Sequence, residues 1–195
     1  MARNAAVVAL LLLGVGVVHA RGGQIIPKVT AALAGTTAVE TTGLSFDGTA
    51  DPGFAVAGEY LLSAPNNVQY GGGLEYQLQR RWATVAGIDV TPDNTFNYAP
   101  IYATAKLLLP TRNINLTPFV KGNLGYNAIF SGNEPFTTGA TLTGGLYYAI
   151  GAGLIANKRL DFELMYNMYR GTVSAAGINA NFNYGALSLS AGYNF

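Results

Sequence analysis

Along residues 184–195 the side chains fall into two alternating sets. One set is Gly185, Leu187, Leu189, Ala191, Tyr193 and Phe195; the other is Ala186, Ser188, Ser190, Gly192 and Asn194. A period of two puts successive side chains on opposite faces of a β-strand. This strand therefore has an apolar face capped by two aromatics and a polar face that is small and uncharged. The same pattern recurs upstream. In 160–169, Leu160, Phe162, Leu164, Tyr166 and Met168 oppose Asp161, Glu163, Met165, Asn167 and Tyr169. In 142–154 an uncharged stripe from Leu142 to Leu154 opposes Thr143, Gly145, Tyr147, Ala149, Gly151 and Gly153. Residues 116–130, 98–108, 70–78 and 54–63 alternate likewise. Their charged members (Lys121, Lys106, Glu75 and Glu59) all stand opposite the apolar set.

These are seven strands, and two segments compete to be the eighth: 25–36, with Val29, Ala31 and Leu33 against Lys28, Thr30 and Ala32, and 83–90. Strands with one apolar and one polar face suit a wall between lipid and a polar lumen. Such barrels have short turns at one rim and longer loops at the other. Taking 25–36 puts the short links 64–68, 109–115 and 156–159 on the periplasmic rim and the longer links 37–52, 80–96, 131–141 and 171–183 on the outer rim. Taking 83–90 reverses one short link and leaves 21–53 unassigned. We therefore expect 25–36 as the first strand and 83–90 as an extension within an outer loop. The architecture expected is all-β, an eight-stranded antiparallel up-and-down transmembrane barrel. Its aromatics gather toward two interfaces: Tyr60, Tyr70, Phe162, Tyr193 and Phe195 at the periplasmic one, Phe54, Tyr76, Tyr126 and Phe130 at the outer.

The start of the chain explains how such a protein would leave the cytoplasm. Residues 1–20 read as a secretory signal peptide: Arg3 supplies the positive region, 5–18 the apolar core, and Val18, His19 and Ala20 the small-residue cleavage site. The apolar core is too short to cross a bilayer as a helix. Residues 21–195 are then the barrel domain. Loss of Arg3 leaves ten Lys and Arg against ten Asp and Glu, a net charge of zero. There is no field to gather nucleic acid. The chain has no Cys, and its one His is His19 in the signal. Thiolate and histidine chemistry, and the metal sites built on them, are not expected in the mature chain. Nor is any cofactor. Charged residues are only 11% of the chain, against about a quarter in soluble domains, which fits a wall that faces lipid.

Residues 53–60 (GFAVAGEY), 71–78 (GGGLEYQL), 119–126 (FVKGNLGY), 145–154 (GLYYAIGAGL) and the terminal Phe195 resemble the small bacterial outer-membrane β-barrel domains, of the outer-membrane-protein-A-like and opacity-like kind. The resemblance covers the whole mature chain and implies residence in the outer membrane, contact with membrane lipids, and an assembly signal at Tyr193 and Phe195 read by the outer-membrane assembly machinery. Some relatives append a periplasmic peptidoglycan-binding domain. None is expected after Phe195, and so no direct cell-wall anchoring.

The alternation sends Lys28, Glu59, Glu75, Lys106, Lys121, Asp161 and Glu163 into a lumen just wide enough for side chains to fill. Charges there must pair or be hydrated. Two readings follow: a static network replacing an apolar core, or an ion-pair gate on a narrow aqueous path. Small inward residues (Ala57, Gly71, Gly73, Gly145, Gly151 and Gly153) would leave room for water. The first functional expectation is thus a structural or small porin-like barrel. The second is a surface adhesin or other interaction protein acting on an unidentified external ligand through its loops, above all the uncharged stretch 173–183. An enzyme is not expected: catalytic relatives of this fold use a His, and a Glu59–Glu75 carboxylate pair is better explained by lumen lysines. A soluble lipocalin-like barrel would bury its apolar face and carry a Gly-x-Trp near its first strand. The only Trp, Trp82, instead follows Arg80 and Arg81.

Overall fold

A strand with an apolar outer face and a polar inner face meets both demands only in a sheet that closes on itself, since any free edge in lipid would leave backbone groups unpaired. The computed structural model describes residues 23–41, 44–78, 80–85, 88–89, 95–113, 115–131, 141–175 and 178–195. The expected signal peptide, 1–20, lies outside them. The strands are β1 (Gly23–Ala32), β2 (Gly35–Thr41), β3 (Leu44–Ala50), β4 (Gly53–Ala64), β5 (Val68–Gln77), β6 (Arg80–Val85), β7 (Ile88–Asp89), β8 (Thr95–Leu108), β9 (Leu116–Ser131), β10 (Thr141–Ala156), β11 (Leu160–Ala175) and β12 (Ile178–Tyr193). All pair antiparallel. The ring runs β1-β4-β5-β8-β9-β10-β11-β12 and closes from β12 back to β1, giving eight staves.

The expected first strand, 25–36, is interrupted at Leu33 and Ala34. The Leu33 amide nevertheless donates to the Leu187 carbonyl at 2.8 Å, which holds the break against β12. Beyond it the chain continues as β2, still on β12, and turns back as β3. The expected outer loop 37–52 is therefore mostly a β-hairpin. Likewise 80–96 carries β6 and β7, as the strand extension placed there anticipated, and β6 pairs with β3 and β8. The expected loop 171–183 is strand over its described residues 171–175 and 178–183, with Val173 paired to Ala180; residues 176–177 lie outside the described ones. Of the link 131–141, the residues 132–140 lie outside the described ones. These departures share one cause. Above the apolar belt the outward face leaves lipid and need no longer be apolar, so the alternation fades while the inward face (Thr37, Ala50, Phe182) stays buried and the ladder of backbone bonds continues.

Inside the belt the alternation holds on every stave. Val29, Phe54, Ile101, Leu124, Ile150, Leu164 and Leu189 are exposed, while the inward set is buried. One stripe is broken: β10 carries a bulge between Gly144 and Tyr147, so Leu142 takes Val173 as its register partner, on the parity of Tyr169 rather than of Met168. The periplasmic turns are tight. Asn66, Asn67, Asn157 and Lys158 all have positive φ, the conformation two-residue hairpin turns require and Asn tolerates. Backbone bonds stitch neighbouring turns together: Leu108 to the Asn67 carbonyl, Asn157 to that of Asn115, Asn194 to that of Arg159, and Phe195 to that of Ile25 at 3.1 Å.

Candidate functional site: an ion-pair plug beneath a tyrosine layer

Six of the seven charges sent inward by alternation meet in the lower lumen. Lys28 comes from β1, Glu59 from β4, Lys106 from β8, Lys121 from β9, and Asp161 and Glu163 from β11. Lys28 Nζ donates to Glu59 Oε2 at 2.6 Å and to Glu163 Oε1 at 2.7 Å. Lys121 Nζ bridges Glu59 Oε1 at 2.5 Å and Glu163 Oε1 at 3.0 Å. Lys106 Nζ binds Asp161 Oδ2 at 2.5 Å and lies 3.4 Å from Glu163 Oε1. Glu163 is the hub, facing all three lysines. Three cations and three anions balance, and no side chain among them is more than 3% exposed. Burial at this depth would be costly for any one of them alone; it is tolerated because each has partners in short geometry.

The plug is bounded below by apolar inward residues. Ile26, Leu61 and Phe119 are buried, each one inward step nearer the periplasmic turns than the charge on its own strand. The Phe119 ring also takes the Lys106 ammonium at 4.1 Å from its centroid, a cation–π contact. Above the plug lies a layer of uncharged aromatic side chains. Tyr98 stacks on Tyr169 at 4.9 Å and on Tyr184 at 5.6 Å; Tyr147 packs on Tyr169 at 5.1 Å and on Tyr102 at 5.4 Å. The Tyr102 hydroxyl donates to Glu59 Oε1 at 3.0 Å and ties the two layers together. Alternation places Tyr102, Tyr147 and Tyr169 inward, but parity alone does not distinguish a stacked roof from isolated lumen side chains.

Glu75 stands apart. It points inward as expected, yet it makes no ion pair with any described residue; the Tyr169 hydroxyl donates to it at 3.4 Å. Glu59 and Glu75 therefore do not share a site: one is held by two lysines and Tyr102, the other by a tyrosine of the roof. The small inward residues also do something other than expected. A Cβ on Gly73 would come within 2.6 Å of the Tyr102 ring, and one on Gly151 within 2.6 Å of the Met165 sulfur; one on Gly153 would meet the Phe119 ring. Large neighbours fill the volume these glycines vacate, so they are packing sites rather than water sites.

At the other named site, Tyr193 and Phe195 lie edge to face with centroids 4.8 Å apart. Phe195 is 70% exposed, and Arg159 donates to the Tyr193 hydroxyl at 3.1 Å.

No protein-family model matches the sequence, and neither does any curated protein. Solved structures do. The outer membrane protein OprG from Pseudomonas aeruginosa superposes with a TM-score of 0.57 at 12% identity, over 89% of this chain and 96% of that one. The chain shares the eight-stranded barrel fold of this outer-membrane protein. The outer membrane protein AlkL, solved in lipid bilayers, gives a TM-score of 0.56 at 13% identity over 89% of this chain and 90% of that one. Neisserial surface protein A gives 0.52 at 15% identity over 90% of this chain and the full length of the other. At these identities the likeness is one of fold. Its lumen chemistry has to be read from this chain's own residues.

Proposed function

We propose that this protein is an integral outer-membrane barrel whose lumen is shut by its own side chains, a structural wall protein with porin-like permeability only where the plug is parted. The observation that carries this reading is Glu163 gripped by lysines from three other staves, directly beneath the tyrosine layer. An aqueous path would have to break charge-assisted bonds across the lumen and then pass the stacked rings. Liposomes carrying the protein and loaded with an osmolyte test it. On dilution into small sugars, the wild type should swell no faster than empty liposomes. Swelling at rates set by sugar size would show an open pore instead.

A second reading is favoured by a separate observation. β2, β3, β6 and the upper parts of β11 and β12 continue the wall beyond the apolar belt, and β2 and β3 carry exposed Glu40 and Asp47. A paired, rigid rim suits a surface that meets an external ligand. Replacing 39–46 by a short turn should then abolish binding of whole cells to host matrix while the barrel stays folded; unchanged binding removes this reading.

The terminal Phe195 supports recognition by the assembly machinery, because its ring is displayed at the periplasmic rim rather than packed into the lumen.

A further inference from the structure

The lipid-facing wall is not smooth. Across the β12–β1–β4 seam it is indented by an apolar groove of about 310 Å³. At its periplasmic end stand Leu160 and Tyr193; higher up its floor is Pro27, Ala191 and Gly58. A Cβ built on Gly58 would meet nothing within 4 Å. The groove thus runs up the belt from the 157–159 turn.

That turn carries the second half of the argument. Lys158 and Arg159 are both exposed there, and Arg159 is held by its bond to Tyr193, itself a wall of the groove. Among the described residues the exposed charges at this rim (Arg112, Lys158 and Arg159) are all cationic. The exposed described charges toward the outer end are mixed: Glu40, Asp47 and Asp51 are anionic and Arg170 is cationic. The periplasmic end of the wall is electrostatically suited to an anionic headgroup, and the groove above it to a single acyl chain.

We propose that one anionic glycerophospholipid docks here, its phosphate on Arg159 and Lys158 beside the Tyr193 hydroxyl and one acyl chain in the groove over Gly58. The site is continuous with the lipid belt, so the occupant needs no entry path. A zwitterionic lipid such as phosphatidylcholine carries the same phosphate, but its quaternary ammonium cancels that charge beside Lys158 and Arg159 and weakens its hold. The proposal rests on the wall facing lipid, so insertion of each variant into liposomes is measured first. A barrel that fails to insert refutes the membrane reading, whereas one that inserts tests the lipid site alone.

The experiment is native mass spectrometry of the purified protein in detergent with equimolar phosphatidylglycerol and phosphatidylcholine of identical acyl chains. The wild type should retain one phosphatidylglycerol in preference to phosphatidylcholine. A Lys158→Glu, Arg159→Glu variant should retain it about tenfold less, since charge-assisted bonds to the phosphate are lost and reversed. Arg159→Lys should keep most of it. Gly58→Phe, which fills the groove from a position with free space, should lower retention of phosphatidylglycerol with the cationic pair intact. Equal retention of the two lipids, or retention indifferent to both the charge-reversed and the Gly58→Phe variant, overturns the proposal. So does a dimer that Gly58→Phe dissolves, because a second copy of the chain would then be the occupant.

Discussion

Glu163 receives more of the interior's electrostatics than any other residue. It faces Lys28, Lys106 and Lys121 within 3.4 Å, so truncating it strands three ammoniums against two remaining carboxylates. Breaking a buried pair from one side costs about 3–5 kcal/mol. We expect Glu163→Ala to lower the unfolding free energy in detergent by about that amount, and truncation of the exposed Arg112 to change it by less than about 0.5 kcal/mol. Equal effects from urea titration would mean that the plug is electrostatically inert. The glycines offer an independent test of packing. Gly73→Val drives a side chain into the Tyr102 ring and should cost about 1–3 kcal/mol through overpacking, weakening the Tyr102–Glu59 bond with it. Gly58→Ala places its methyl in open space and should be neutral or slightly stabilising, as expected when Gly leaves a strand interior. A Gly73→Val barrel that melts with the wild type would show the ring to be free to move aside.

At the scale of the strand, the C-terminal stave is tied to the first by Phe195 donating to Ile25 and by Lys28 opposite Gly192. Those ladder bonds do not need the Phe195 ring. Phe195→Ala should therefore leave the melting temperature of refolded barrel nearly unchanged while lowering the fraction assembled in cells. A parallel loss of refolding in detergent would instead make the ring a structural residue. Much at this scale was legible from sequence. Inward and outward parity could be read on every stave because each has lipid on one side, and a one-residue slip would put Lys106 or Glu163 into hydrocarbon. Two things were not legible. The extensions at 35–50 and 171–183 lie above the belt, where the outward face no longer meets lipid and carries Thr, Glu and Asn, so no apolar stripe marks the period even though Thr37, Ala50 and Phe182 are buried inside. The choice of partners within the plug was also hidden. Lys106 takes Asp161 and Lys121 takes Glu59 because of the stagger between staves distant in sequence, which no local pattern records.

The whole molecule is a lipid-facing cylinder in three layers: an apolar floor of Ile26, Leu61 and Phe119, a neutral six-charge plug, and a roof of five tyrosines. Side chains of this size fill an eight-stranded lumen, and the three layers act in series. The most direct measurement is single-channel conductance in planar bilayers, comparing the wild type with a Lys121→Ala, Glu59→Ala, Tyr169→Ala variant that thins plug and roof together while removing charge in equal and opposite amounts. The account predicts a wild type that inserts yet shows no steady openings, and a variant with discrete, reproducible steps. Steady wild-type conductance that the variant leaves unchanged would contradict it, because the current would then be passing somewhere other than through the plug.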